Sequence, residues 1–274
     1  MGTLEFILPL RNPTEVLEQT VRSITGQIDR GFSVLISDNY TTKGGEWIDA
    51  AMAEFAKAGI AARRIRPPVE LGRVEHWNWA HYQAGGDWLK PVFAGDWLEL
   101  NYVAKLRDAL AANPACRYVF ASYVLHRLNQ APVTVSSLWV GRFFPAAEMK
   151  TAVLRYGMQF GPPSAAAYER AVFIAAGGYP TPLPICSDSL LFCALASRHG
   201  VLGMAEALCH FNIHGARFST GLGEKRKFTL QETITYDWLL GYQAWSEKVR
   251  FCGLAFLRML LRELRNYRRD CKAK

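Results

Sequence analysis

The sequence has little of what announces most nucleotide and hydrolase chemistry. No GxGxxG follows its first apolar stretch, no GxxxxGK[ST] occurs, and no GxSxG elbow is present. The glycine-cradled dinucleotide, P-loop and serine-nucleophile classes therefore lose their support. Its six cysteines, at positions 116, 186, 193, 209, 252 and 271, form no CxxC pair and no Cys/His spacing of the structural zinc type. Scattered thiols of this kind suit a reducing compartment. Long apolar runs are scarce too. The longest near the C-terminus, Phe251–Leu257, is far below the roughly 20 residues that span a bilayer. No signal peptide precedes the first apolar segment, which begins at Leu4, so a cytoplasmic protein is expected.

Negative charge is short at one end only. Residues 245–274 carry nine Lys/Arg against three Asp/Glu, whereas the other 244 residues carry 23 against 21. A near-neutral body with a basic tail argues against nucleic acid as a partner, which calls for a basic face spread over the fold.

What is present is alternation. With 274 residues, half of them hydrophobic, the chain can bury a full globular core. Leu4–Leu8, Phe32–Ile36, Ala61–Ile65, Trp88–Phe93 and Arg117–Ala121 read as short apolar strands. Helical spacing marks Thr14–Gln27, Glu46–Ala58, Val74–Gln83 and Asn101–Ala112 between them, with Thr14 and Asn101 as expected N-caps. Strand–helix alternation of this kind predicts a mostly parallel, doubly wound sheet. Beyond residue 121 the pattern weakens. Tyr168–Tyr179 reads as a short helix with a glycine stop, and Ser187-Asp188 lead into a helix over Ser189–His199. Three parts follow: 1–121, 122–222 and a tail, 223–274.

Polar clusters close the strands. Pro9-Leu10-Arg11-Asn12-Pro13 follows the first, Asp38-Asn39 the second, and Ala94-Gly95-Asp96 the fourth. Carboxylates at the carboxyl ends of such strands face the crevice in which open α/β sheets bind ligands. Each also has a plainer reading: Asp38 and Asp96 as turn acids, Asp188 as an ordinary helix cap. His76 and His81 are poor metal ligands at their spacing and are expected as packing or surface residues, while Trp77, Trp79 and Trp88 are expected in the core.

In order, these motifs resemble the family 2 glycosyltransferases, inverting enzymes of the GT-A fold that use nucleotide-diphosphate sugars. The likeness runs from Leu4 to Ser219. Ile7–Asn12 is similar to the family's IPxYN opening, Ile36–Thr42 to its DDxS turn, and the segment ending at Asn78 to its "G…RN" element. Phe93–Asp96 falls where the family carries DxD acids, Gly177-Gly178-Tyr179 with Ser187-Asp188 resembles "GGF…ED", and His210–Ser219 resembles the closing "R.H..S". The resemblance implies a Rossmann-like, mostly parallel sheet flanked by helices, and the spacing beyond it adds a C-terminal basic amphipathic helix. It implies Asp188 as catalytic base, and Pro9, Arg11, Asn12, Asp38, Asn39, Gly72, Arg73 and Asn78 around the nucleotide. It further implies Asp96 and His214 as ligands of Mn2+ or Mg2+, a UDP-sugar as donor and a saccharide as acceptor.

The chain departs from the pattern in its acids. Phe93, Ala94 and Gly95 stand where carboxylates often do, and Ser37 replaces the first acid of the DD turn. A catalytically decayed sugar-nucleotide-binding module therefore stays open as an alternative. So does a membrane-associated scaffold. Phe256, Leu260, Leu264 and Tyr267 line one side of an expected tail helix, and Arg258, Arg262, Arg265 and Arg269 another. Such a helix suits an anionic membrane surface through residues 250–274, at the inner face of the membrane, or packing on the domain with its basic face in water.

Overall fold

The computed structural model describes residues 2–136, 140–156, 160–183 and 185–213, together with Gln231 and Leu257. In chain order the elements are β1 (Leu4–Leu10), α1 (Val16–Thr25), β2 (Phe32–Asp38), α2 (Gly45–Lys57), β3 (Ala62–Ile65), α3 (Arg73–Tyr82) and β4 (Trp88–Pro91). They continue with β5 (Trp97–Leu98), α4 (Tyr102–Ala112), β6 (Tyr118–Arg127), β7 (Val133–Val135), β8 (Phe143–Phe144) and α5 (Ala146–Tyr156). The last are β9 (Ala166–Glu169), α6 (Arg170–Ala175), α7 (Ser187–His199) and β10 (Val201–Ile213).

One sheet runs through the domain in the order β3-β2-β1-β4-β9-β6-β10-β5, with β7 on β6 and β8 on β10. The first four strands are parallel neighbours, as are β6 and β10. Antiparallel β9 joins those two blocks. Every residue of β1 is buried, as expected of a strand covered on both faces. The chain winds outward from β1 through β2 to β3, then returns to place β4 on β1's other side. That reversal is a topological switch point, and the crevice beyond it is where such sheets bind ligands. Helices flank the sheet, among them α1, which turns Leu17, Val21 and Ile24 inward. Among the described residues no helix is long and apolar enough to cross a membrane.

The alternating first half is found close to where the sequence places it, while the second half differs. Tyr168 and Glu169 lie in β9 rather than in a helix, because Ala166–Tyr168 pair with Phe120–Tyr118 and Tyr168 with Leu89. Tertiary pairing overrides the local helical preference of Ala-Ala-Tyr-Glu. The 13-residue β10 lies where the sequence pattern marks no strand. Neither expected cap works as a side chain: the residue before α1 is Glu15, and Asn101 precedes α4 without a capping bond. Gln27 Oε1 instead accepts the Val103 N–H at 3.0 Å. The last expected helix starts at Ser187, which puts Asp188 inside its first turn. The tail, including 250–274, lies outside the described residues apart from Gln231 and Leu257.

The loop entering α2 turns on Gly44, at φ +78°, where a Cβ would run into the Pro13 carbonyl oxygen; at Gly45 it would meet nothing within 4 Å. Gly44→Ala is expected to cost at least about 2 kcal/mol in urea unfolding, from backbone strain and this clash, with Gly45→Ala close to neutral.

Candidate functional site

Three asparagines shape the crevice. Asn12, just past β1 and in the left-handed region at φ 47°, accepts on Oδ1 the N–H groups of Thr42 at 2.8 Å and Lys43 at 3.2 Å. It thereby joins the loops after β1 and β2. Asn39, just past β2, donates to the Leu71 carbonyl at 2.8 Å and accepts the Leu71 N–H at 3.0 Å. This sets Gly72 and Arg73 at the start of α3, over the strand ends. Asn78, on α3, donates to the Tyr179 carbonyl at 2.8 Å and accepts its N–H at 2.7 Å. Gly178 beside it has φ +75°, and a Cβ there would lie 2.5 Å from Asn78 Oδ1. The "RN" and "GGY" segments, a hundred residues apart in sequence, thus close on each other through one amide.

Asp38 is fully buried at the end of β2. Its Oδ2 accepts from Arg64 and Arg66, each at 2.6 Å, and its Oδ1 from the Thr41 N–H at 2.9 Å. Burial pushes this carboxyl up, but the two guanidiniums and Thr41 outweigh it and hold it far below the usual carboxylate range. Arg66 also lies over the Tyr40 ring, 5.3 Å from its centroid. Ser37, in place of an acid, hydrogen-bonds His76 at 2.7 Å, and burial lowers that imidazole to about 4. Arg11 pairs with Glu70, and Pro9 is buried opposite Ser37 in the sheet.

Asp188 sits in the first turn of α7 and accepts the Ser189 N–H at 2.7 Å. Gln231 fixes the entry to that helix, taking the N–H groups of Ile185 at 2.9 Å and Cys186 at 3.0 Å. Burial raises the Asp188 carboxyl to about 6, an effect reduced by the Ser189 N–H and by the charge of Arg73. Arg73 itself lies over the Trp77 ring, 5.3 Å from its centroid. Asp188 is half-buried and keeps partial solvent contact.

Asp96 closes the turn after β4 and is 1% exposed. Its Oδ2 accepts from Ser164 Oγ at 2.6 Å and its Oδ1 from the Asn212 N–H at 3.3 Å. Thr20 on α1 clamps the turn, donating to the Asp96 carbonyl at 2.7 Å and accepting the Gly95 N–H at 3.0 Å. His214, the second expected ligand, lies outside the described residues. Mg2+ is usually held by one or two carboxylates with water and phosphate oxygens. Here one deeply buried carboxylate has both oxygens hydrogen-bonded, and no group of three His, Cys, Asp or Glu among the described residues could hold a metal ion. Among the described residues, this donor set does not fit the implied ion.

Sequence reasoning missed Lys90, Ser164, Asn212, Arg64 and Arg66. Lys90 was readable, as a lone charge inside an otherwise apolar strand; the others depend on pairings that no local pattern encodes. His81 is buried, with Tyr168 and Phe173 stacked on its ring, and Trp88 is a core residue, as expected. A depression between α4 and β10, lined by Lys105, Asn113 and Glu206, contains none of the expected site residues.

No protein-family profile matches the sequence. No curated protein sequence matches it either. Solved structures do. S. aureus TarS in complex with UDP superposes with a TM-score of 0.61 over 87% of this chain and 69% of its own, at 12% identity. TarS in complex with UDP-GlcNAc gives 0.63 over 86% and 66%, also at 12%. The mannosyltransferase PcManGT of Pyrobaculum calidifontis, in complex with GDP-Man and Mn2+, gives 0.59 over 95% and 75%, at 15% identity. At these identities the likeness defines the fold, a GT-A-type mixed α/β domain with a mostly parallel sheet flanked by helices.

Asp38→Asn keeps the side-chain shape and removes the charge between two arginines. It is expected to cost about 2 kcal/mol in urea unfolding at pH 7, below the usual penalty for a broken buried pair because both guanidiniums are partly solvated. Since the folded carboxyl titrates below its unfolded value, this contribution is present above about pH 4, and the deficit shrinks on acidification.

Proposed function

We propose that the chain transfers a glycosyl group from a nucleoside-diphosphate sugar to a saccharide hydroxyl with inversion, Asp188 acting as general base. The observation that carries this reading is Asp188 itself. A carboxyl raised to about 6 at the head of α7 is ionised at neutral pH and still basic enough to take a proton. The charge of Arg73, an expected nucleotide-side residue, acts on it, and solved structures of the same fold hold UDP, UDP-GlcNAc and GDP-Man.

In the step proposed, the acceptor oxygen attacks the anomeric carbon while its proton passes to Asp188. The bond to the donor phosphate breaks, the electron pair leaves with the diphosphate, and one displacement inverts the configuration. A UDP-sugar is the favoured donor. The acceptor, in this reading, is a saccharide of surface-glycan or polysaccharide assembly, lipid-linked where the basic segment 250–274 meets an anionic membrane surface from the cytoplasmic side. The depleted acids around Asp96 favour a second reading, a decayed module that binds the sugar-nucleotide without turnover.

Transfer assays with UDP- and GDP-sugars test the proposal. Asp188→Asn is expected to lower kcat about 100-fold or more with donor affinity kept, and wild-type kcat to fall with a single protonation below about pH 6. Donor binding without transfer by wild type would establish the decayed module instead. Because the folded carboxyl titrates above its unfolded value, its stabilising effect is complete below about pH 4 and lost as pH rises through about 6. Asp188→Asn is accordingly expected to exceed wild type in thermal stability by about 1–3 kcal/mol at pH 8, and to match it near pH 4.

A further inference from the structure

The departing diphosphate carries negative charge, and something in the site must meet it. Clusters of acids recruit a divalent ion through their net negative charge, and at Asp96 that net charge is missing. Lys90 is fully buried at the centre of the sheet. Its ammonium donates to the carbonyls of Ser164 and Ala166 and to Cys209 Sγ, and lies 4.3 Å from the centroid of the Tyr102 ring. Three acceptors and an aromatic face suit the three protons of a charged lysine, which has no lone pair to offer. Burial pushes its pKa down, whereas Cys209 and Asp96 act the other way.

Ser164 joins the two charges: its carbonyl takes Lys90 and its hydroxyl donates to Asp96 at 2.6 Å. Acid, serine and ammonium therefore form a buried unit of no net charge. Along the chain no second acid relieves this, for Phe93, Ala94 and Gly95 precede Asp96. Gly95 has φ +91°, a backbone that a residue with a side chain adopts poorly.

We propose that this chain holds the donor diphosphate without a divalent metal ion, with Arg73 meeting its charge and Asp96 serving as the buried counter-ion of Lys90. The inference rests on the sugar-nucleotide reading above. Arg73 opens α3 beside the strand ends, where Asn39 fixes the preceding residue pair, and its charge reaches Asp188. A guanidinium there can engage two phosphate oxygens at once.

Calorimetric titration of the full chain with UDP and with GDP, in EDTA and again in Mn2+, tests this. One nucleotide is expected to bind with Kd values within about threefold in the two buffers, and Arg73→Ala to weaken it about tenfold or more in both. Asp96→Asn is expected to lower thermal stability and leave nucleotide affinity unchanged. Tightening of wild-type binding by Mn2+ of about tenfold or more overturns the inference and leaves the sugar-nucleotide reading standing; so does an Arg73→Ala variant that binds as wild type. Absence of binding by either nucleotide in both buffers removes that reading, and this inference falls with it.

Discussion

The constraint on which the rest of the structure depends is the charge of Lys90 inside the sheet. An ion taken out of water is tolerated only when its charge is paired and its protons are bonded. Lys90 lies on β4, opposite Phe6 of β1, and its bonds reach the carbonyls of Ser164 and Ala166 at the entry to β9. Satisfying the ammonium thus draws the antiparallel strand against the parallel block. The same contact brings the Ser164 hydroxyl to Asp96, so the turn at the switch point and the junction between the two halves of the sheet are set by one cation.

Around that centre the loops are tied by amides. An asparagine side chain carries a donor and an acceptor, so it can stand in for one rung of a backbone ladder where no strand is available. Asn39 and Asn78 do this, each making two bonds to a single backbone residue, and Asn12 accepts from two successive N–H groups. Three positions that resemblance assigns to the nucleotide are therefore occupied in holding the crevice open. The bonds of Asn39 to Leu71 also set where Gly72 and Arg73 begin α3.

How much of this was legible follows from where the information lies. Apart from the two-residue β5, the strands and helices of the first 112 residues each carry their own period, and their polar ends mark the crevice, so the parallel half and the positions of Asp38 and Asp96 could be read directly. β9 and β10 could not. β9 is four residues long with helix-favouring composition, and its pairing partners lie about fifty and eighty residues away. β10 contains Gly203 and Glu206, and shifts register between Met204 and Cys209, which breaks the alternation that a strand pattern needs. The partners of Asp38 and Asp96 were hidden for the same reason: Arg64, Ser164 and Asn212 are local to their acids only after folding.

Two carboxylates of one crevice are driven in opposite directions, and the contrast separates their roles. Asp38 has no exposure and meets two guanidiniums; it stays ionised at any working pH, and its oxygens are committed to protein donors. It has no proton to give or take, which leaves it the task of aiming Arg64 and Arg66. Asp188 accepts from the N–H and hydroxyl of Ser189, yet burial raises it to about 6. Keeping an ionised carboxyl there at neutral pH lowers the stability of the fold, a cost that a purely structural position would shed by substitution to asparagine. Environments that push two acids apart in this way sort the charge that organises a site from the one that exchanges protons in it. By that contrast β2 carries a fixed charge, and α7 a carboxyl whose protonation changes near pH 6.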